Sequence, residues 1–149
     1  MNVTKAPPGT TADLAVRLRL AVTRTARRLR QEADSSLTPS TASALASVER
    51  RGPLTPSELA AIEGIQRPTT TRVIARLEEA GLVVRASDPA DRRSSLVSVT
   101  PEGRALLRKA RNRKTAYLAH RMRDLPADDL AALERAADVL ERMLEDGTR

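Results

Sequence analysis

Apolar residues recur along this chain in two rhythms, and the change of rhythm divides it. Over residues 11–33 they fall at Leu14, Leu18, Val22, Ala26 and Leu29, a spacing of three to four that predicts a helix with one buried stripe. Residues 127–145 repeat it with Leu130, Leu133, Ala137, Leu140 and Leu144, the alternation of a helical packing seam. A third long helix is predicted from Thr100-Pro101 to about Met122, with Leu107, Ala110, Tyr117 and Leu118 on or near one side.

Between these long helices the segments are shorter and sharply punctuated. Thr38-Pro39, Thr55-Pro56 and Pro68 each open a helix, because a proline in the first turn gives up no hydrogen bond and its φ is already helical. Leu45 and Val48 face inward on the first of these, and Leu59 and Ile62 on the second, where Thr55 and Glu58 have the spacing of a capping box. Gly64 stops that helix, and Gly81 stops the next. On that next helix, Thr70, Val73, Ile74 and Leu77 share one face, while Thr69, Arg72, Arg76 and Glu79 share the other. LVV at 82–84 and LVSV at 96–99 are short and β-branched, so they predict a hairpin around the polar loop 87–94.

The predicted fold is therefore mainly α with a small β-hairpin, in the order helix, helix, short helix, helix, hairpin, helix, helix. Residues 1–11, with Pro7, Pro8 and Gly9, are expected to be a flexible tail. Residues 37–100 form the compact centre, and 12–34 together with 101–146 form a helical region around it. Only 1% of the chain is aromatic, so its core must be built from Leu, Val, Ile and Ala.

Charge changes the picture by naming a class of partner. The chain carries +7, which favours a polyanion, with double-stranded DNA ahead of a membrane surface. Yet residues 37–100 hold eight arginines and seven acidic residues, so net charge does not locate the contact. From Arg104 to Arg123 there are eight basic residues and no acid, a run that reads mostly as a solvated helix face. No cysteine is present, which excludes disulfides and thiolate chemistry. Neither a signal peptide nor the roughly 20 apolar residues of a membrane span is found, so a cytoplasmic protein without membrane contact, nucleoid-associated when bound to DNA, is expected. His120 stands alone, and there is no Gly-rich phosphate loop or H-E-x-x-H spacing. No catalytic residue, metal or cofactor is expected, and the chain does not read as an enzyme.

Two helices joined by a short turn, the second displaying Thr and Arg outward, make a helix-turn-helix, and the hairpin that follows makes it winged. Such a second helix enters the major groove, where arginine reaches guanine O6 and N7 and threonine meets phosphate or a thymine methyl. Arg72 is the first candidate for a base contact, with Thr69 and Arg76 next, Thr71 at the flank, and Arg67 and Pro68 at the helix start. Asp91, Arg92 and Arg93 occupy the wing. Arginines on such a loop suit the narrow minor groove, whose negative potential attracts them, and Asp91 can pair with one of them to stiffen the loop.

The stretches LTPSELAAIEGIQRPTTTRVIARLEEAGLVVR at 54–85 and DPADRRSSLVSVTPEGRALL at 88–107 resemble the MarR family of bacterial winged helix-turn-helix transcriptional regulators. The second is the more specific, with its D-x-R wing, following strand and P-E-G. The resemblance implies a homodimer in which the first and last two helices interlock as dimerisation arms, placing Leu14, Leu18, Leu130, Leu133, Leu140 and Leu144 at the interface. It implies a repressor on a pseudo-palindromic operator, with a wing arginine in the minor groove and an Asp-Arg pair bracing the wing. It further implies a small aromatic or anionic effector in a crevice, for which Arg17, Arg24, Tyr117 and His120 are the candidates. Gln66 departs from the pattern, standing where a Ser, Thr or Asp cap is common. Two other classes fit the composition: an architectural protein coating DNA without sequence preference, and a helical module that binds another protein.

Overall fold

In a computed structural model the described residues are 9–33 and 36–146; most of the expected tail, residues 1–8, lies outside them. Its last residues are structured. Thr10 caps the first helix, accepting from the Asp13 amide at 3.2 Å while Asp13 takes the Thr10 amide and hydroxyl at 2.9 and 2.7 Å. These bonds, the hydroxyl first, hold the Asp13 carboxyl below its ordinary range. The elements are α1 (Thr11–Glu32), α2 (Pro39–Arg51), α3 (Pro56–Glu63), α4 (Arg67–Glu79), β1 (Val83–Ser87), β2 (Ser95–Val99), α5 (Pro101–Met122) and α6 (Ala127–Asp146).

Aliphatic side chains from six of these elements make the core. Leu45 and Val48 of α2, Leu59 of α3, Val73, Ile74 and Leu77 of α4, Val83 of β1, Val97 and Val99 of β2 and Leu107 of α5 pack with Leu54 and Leu82. The inward positions expected from the helical and strand rhythms are thus the ones buried, with Ile62 packed against their edge. Ser47 donates a hydrogen bond to Glu63, tying α2 to the end of α3.

The hairpin is antiparallel, Val83 opposite Val99 through Ser87 opposite Ser95. Both strands reach further toward the loop than their apolar residues indicate, because Arg85, Ala86 and Ser87 still find ladder partners while staying exposed. Leu54 adds a third short edge, exchanging backbone bonds of 2.8 and 3.1 Å with Val97.

The chain divides into two compact units, Met1–Lys114 and Thr115–Arg149. The first half of α5 therefore belongs with the winged core, where Leu107 is buried and Arg111 grips Glu49 of α2 at 2.7 and 3.2 Å. Arg113 also donates to the Ala33 carbonyl at the end of α1. The expected buried stripe of α1 is a correction: no residue of that helix is buried, and Leu14, Leu18 and Val22 are exposed, with Ala26 and Leu29 half-buried. Periodicity marks a face that wants covering, and nothing described in this chain covers it. In the second unit α6 likewise exposes Leu130, Leu133 and Leu144, with Leu140 half-buried.

Candidate nucleic-acid interface

The turn from α3 into α4 is built from local signals. Glu58 accepts from the Thr55 amide at 2.7 Å and its hydroxyl at 2.9 Å, while Thr55 accepts from the Glu58 amide at 3.2 Å. Those bonds, the amide first, hold the Glu58 carboxyl below its ordinary range. Gly64 ends α3 in the left-handed region at φ 62°, where a side chain would be strained. Gln66 makes no side-chain cap for α4, as its side chain led one to expect. Arg67 instead donates to the Ser57 hydroxyl on α3 at 2.9 Å.

Helix α4 buries Thr70, Val73, Ile74 and Leu77 and exposes Arg67, Pro68, Thr71, Arg72 and Arg76. Thr69, expected on the outer face, is half-buried. The Thr71 hydroxyl donates to the Arg67 carbonyl at 3.0 Å, leaving its methyl and lone pairs outward. Arg72 makes one long bond, from Nε to the Pro68 carbonyl at 3.4 Å, so its two terminal nitrogens keep the planar fork that guanine accepts. Arg76 lines a crevice of about 330 Å³ with Leu37, Thr38, Thr41 and Glu79.

The wing is held by backbone geometry. Asp88 accepts from the Ala90 amide and Asp91 from the Arg93 amide, both at 2.9 Å, and the Ser94 amide closes onto the Asp91 carbonyl at 2.9 Å. The expected ion pair between Asp91 and a wing arginine is absent among the described residues. Asp91 stiffens the loop through a backbone amide instead, and both Arg92 and Arg93 are exposed and without an ion pair among the described residues.

Contacts around the Gly81 turn join α4, the wing and α5. Arg85 of β1 donates to Glu78 of α4 at 2.9 Å, across the Gly81 turn. The buried Thr100 hydroxyl donates to the Gly81 carbonyl at 2.7 Å and accepts from the Gly103 amide at 3.1 Å, capping α5 and fastening it to the same turn. Gly103 lies so close to the Leu82 carbonyl that a Cβ would collide with it, and would sit 2.8 Å from Val99 Cγ2. The T-P-E-G motif is thus a joint between helix, wing and α5. Sequence reading missed Ser57, Glu78 and Arg85, although opposite charges seven residues apart across a glycine stop were a visible signal for the last two.

The crevice candidates fall in both units. Arg17 and Arg24 are exposed on α1, while Tyr117 and His120 belong to the second unit, half-buried and exposed. None of the four lines the cavity of about 800 Å³ in the first unit. That cavity has apolar walls that include Leu29, Leu37, Leu106 and Leu107, and is also lined by Arg27, Arg30, Arg111 and Lys114, with no acidic residue among the described ones. Among the described residues no group of His, Asp and Glu could hold a metal ion, and no helix is long and apolar enough to cross a membrane.

Comparison with known proteins agrees with this geometry. The MarR family profile matches residues 37–95. An uncharacterized HTH-type transcriptional regulator of Mycobacterium leprae is 38% identical over 91% of this chain and 95% of its own. Among solved structures, a transcriptional regulator protein from Pseudomonas aeruginosa is 34% identical and superposes with a TM-score of 0.82 over 93% of this chain and 98% of its own. A MarR family protein from Bacillus stearothermophilus, 23% identical, shares the fold at a TM-score of 0.75 over 90% and 94%. With a winged helix-turn-helix core and relatives matched almost end to end, the chain belongs to the MarR family of DNA-binding transcriptional regulators.

Proposed function

We propose that this regulator is a homodimeric repressor that covers a pseudo-palindromic operator whose half-sites lie roughly 10 base pairs apart, one turn of duplex. The observation that carries the reading is the placement, within one compact unit, of an exposed α4 face beside a wing whose tip arginines, Arg92 and Arg93, have no ion pair among the described residues. Arg72 reads guanine in the major groove, Thr69, Thr71 and Arg76 contact the flanks, and Arg67 and Pro68 approach the backbone where α4 begins. Arg92 and Arg93, held by the Asp91 turn, enter the adjacent minor groove. Residues 37–100 are the DNA-binding part, and 12–34 with 101–146 the dimerisation part. The exposed rows at Leu14 and Leu18 and at Leu130, Leu133, Leu140 and Leu144 support a second copy as the cover.

An effector would release the operator by changing the spacing of the two winged parts, since only one spacing suits both grooves. The cations around apolar walls favour an anionic, amphipathic effector, for which Arg27, Arg30, Arg111 and Lys114 are candidates beside Arg17, Arg24, Tyr117 and His120. The protein acts in the cytoplasm, on the nucleoid. Selection from a pool of randomised duplexes tests the reading: the recovered sites are expected to share two inverted half-sites with that spacing. A pool that never narrows would count against sequence-specific repression.

A further inference from the structure

We infer that Ser57 is a positioning residue for DNA binding, acting through Arg67, which it holds ready to grip a single backbone phosphate at the start of α4. This rests on the reading that α4 enters the major groove. Arg67 is the first residue of α4, and Gln66 before it provides no side-chain cap. Ser57, in the first turn of α3, supplies the contact that is present there, its hydroxyl accepting from Arg67 Nη2 at 2.9 Å. Both residues are exposed. Arg67 makes no ion pair among the described residues; Glu58, next to Ser57, has one oxygen bonded to the amide and hydroxyl of Thr55, and Glu63 accepts from Ser47.

The chemistry left over is mostly donor. Arg67 spends one of its N–H groups on Ser57, and Ser57, having accepted, still has its own O–H to give. A pair that offers several donors and one positive charge suits a phosphodiester oxygen better than a base edge, which mixes donors with acceptors. Direction agrees with this: on a helix, Arg67 and Arg72 point about 140° apart, so the two arginines address different parts of the duplex. A long guanidinium side chain free in water must be ordered when it binds, and the bond to Ser57 does part of that ordering beforehand.

The test is a double-mutant cycle with Ser57→Ala, Arg67→Ala and the pair, together with Ser57→Thr and Arg72→Ala. Affinities are measured by anisotropy on a duplex selected from a randomised pool and on its shuffled counterpart, across several salt concentrations. Melting temperature is followed for each protein. Ser57→Ala is expected to weaken binding about three- to tenfold on both duplexes, with an unchanged melting temperature and an unchanged preference between them. Ser57→Thr restores affinity, Arg67→Ala lowers the salt slope by about one, and Ser57→Ala adds nothing in the Arg67→Ala background. Wild-type affinity in Ser57→Ala, or an equal loss in both backgrounds, overturns the inference while leaving α4 in the groove if Arg72→Ala still lowers the preference. Should Arg72→Ala leave the preference intact, or no duplex be selected, the groove reading falls and the inference with it.

Discussion

Thr100 and Gly103 illustrate how much a single position carries here. The Thr100 hydroxyl is buried and makes two bonds, one outward to the Gly81 carbonyl and one inward from the Gly103 amide. Replacing it with valine leaves both partners without their hydroxyl, and about 1–3 kcal/mol of stability is expected to be lost in denaturant titration. Gly103→Ala drives a methyl into the Leu82 carbonyl, so a loss of at least about 1–3 kcal/mol is expected, as for other overpacked sites. At the DNA surface, Arg72→Ala is expected to cost about 1–3 kcal/mol on the selected duplex and to relax its preference, read as a ratio of affinities. An equal loss on selected and shuffled DNA would make Arg72 a phosphate contact. Of these residues, Arg72 was legible because its neighbours declare which face is buried. Thr100 and Gly103 were visible as a motif but not as a joint, since their partners lie 19 and 21 positions earlier at Gly81 and Leu82.

Helices and the hairpin were legible to within a few residues, because prolines, glycines and the Thr55–Glu58 box act over one turn of chain. What the sequence did not disclose is how elements are tied together. The Leu54 edge strand, the Arg85–Glu78 tie and the Glu49–Arg111 pair all depend on where distant segments meet, which no local spacing encodes. Each tie has a consequence. Arg85→Ala frees β1 from α4 and is expected to weaken binding through the wing, visible as faster hydrogen exchange at the wing amides. Replacing Arg92 and Arg93 together by alanine is expected to flatten the salt dependence of affinity, and an unchanged slope would remove the wing from the interface. The Glu49–Arg111 pair predicts a pH effect. Its hydrogen bond from Arg111 holds the Glu49 carboxyl below the ordinary value of 4.5, so the tie contributes above that value and is lost as the pH falls through the lower, folded value. Both groups are largely solvated, so the effect is small. Glu49→Gln should lose that part of the acid dependence of the melting temperature while keeping the rest, which includes the carboxylates Glu58 and Asp13.

As a molecule, the chain combines a winged core with apolar helix faces that stand exposed among the described residues. Leu14 and Leu18 in one unit and Leu133 and Leu144 in the other are each at least a third exposed, an arrangement that suits association. Sequence periodicity predicted both rows, but it could not say that they would stand exposed. Leu133→Glu combined with Leu14→Glu is expected to yield monomers in sedimentation, with DNA affinity falling because one winged part reads only one half-site. Retained dimers would move the interface elsewhere.

Fluorescence anisotropy addresses the DNA-reading claim most directly. The purified chain is titrated onto duplex DNA from the region upstream of its own coding sequence and onto a shuffled duplex, at several salt concentrations. Saturable binding with two chains per site, and a preference of about 10³ or more over the shuffled duplex, is the predicted result. Equal and steeply salt-dependent binding to both duplexes, or binding to neither, would contradict it.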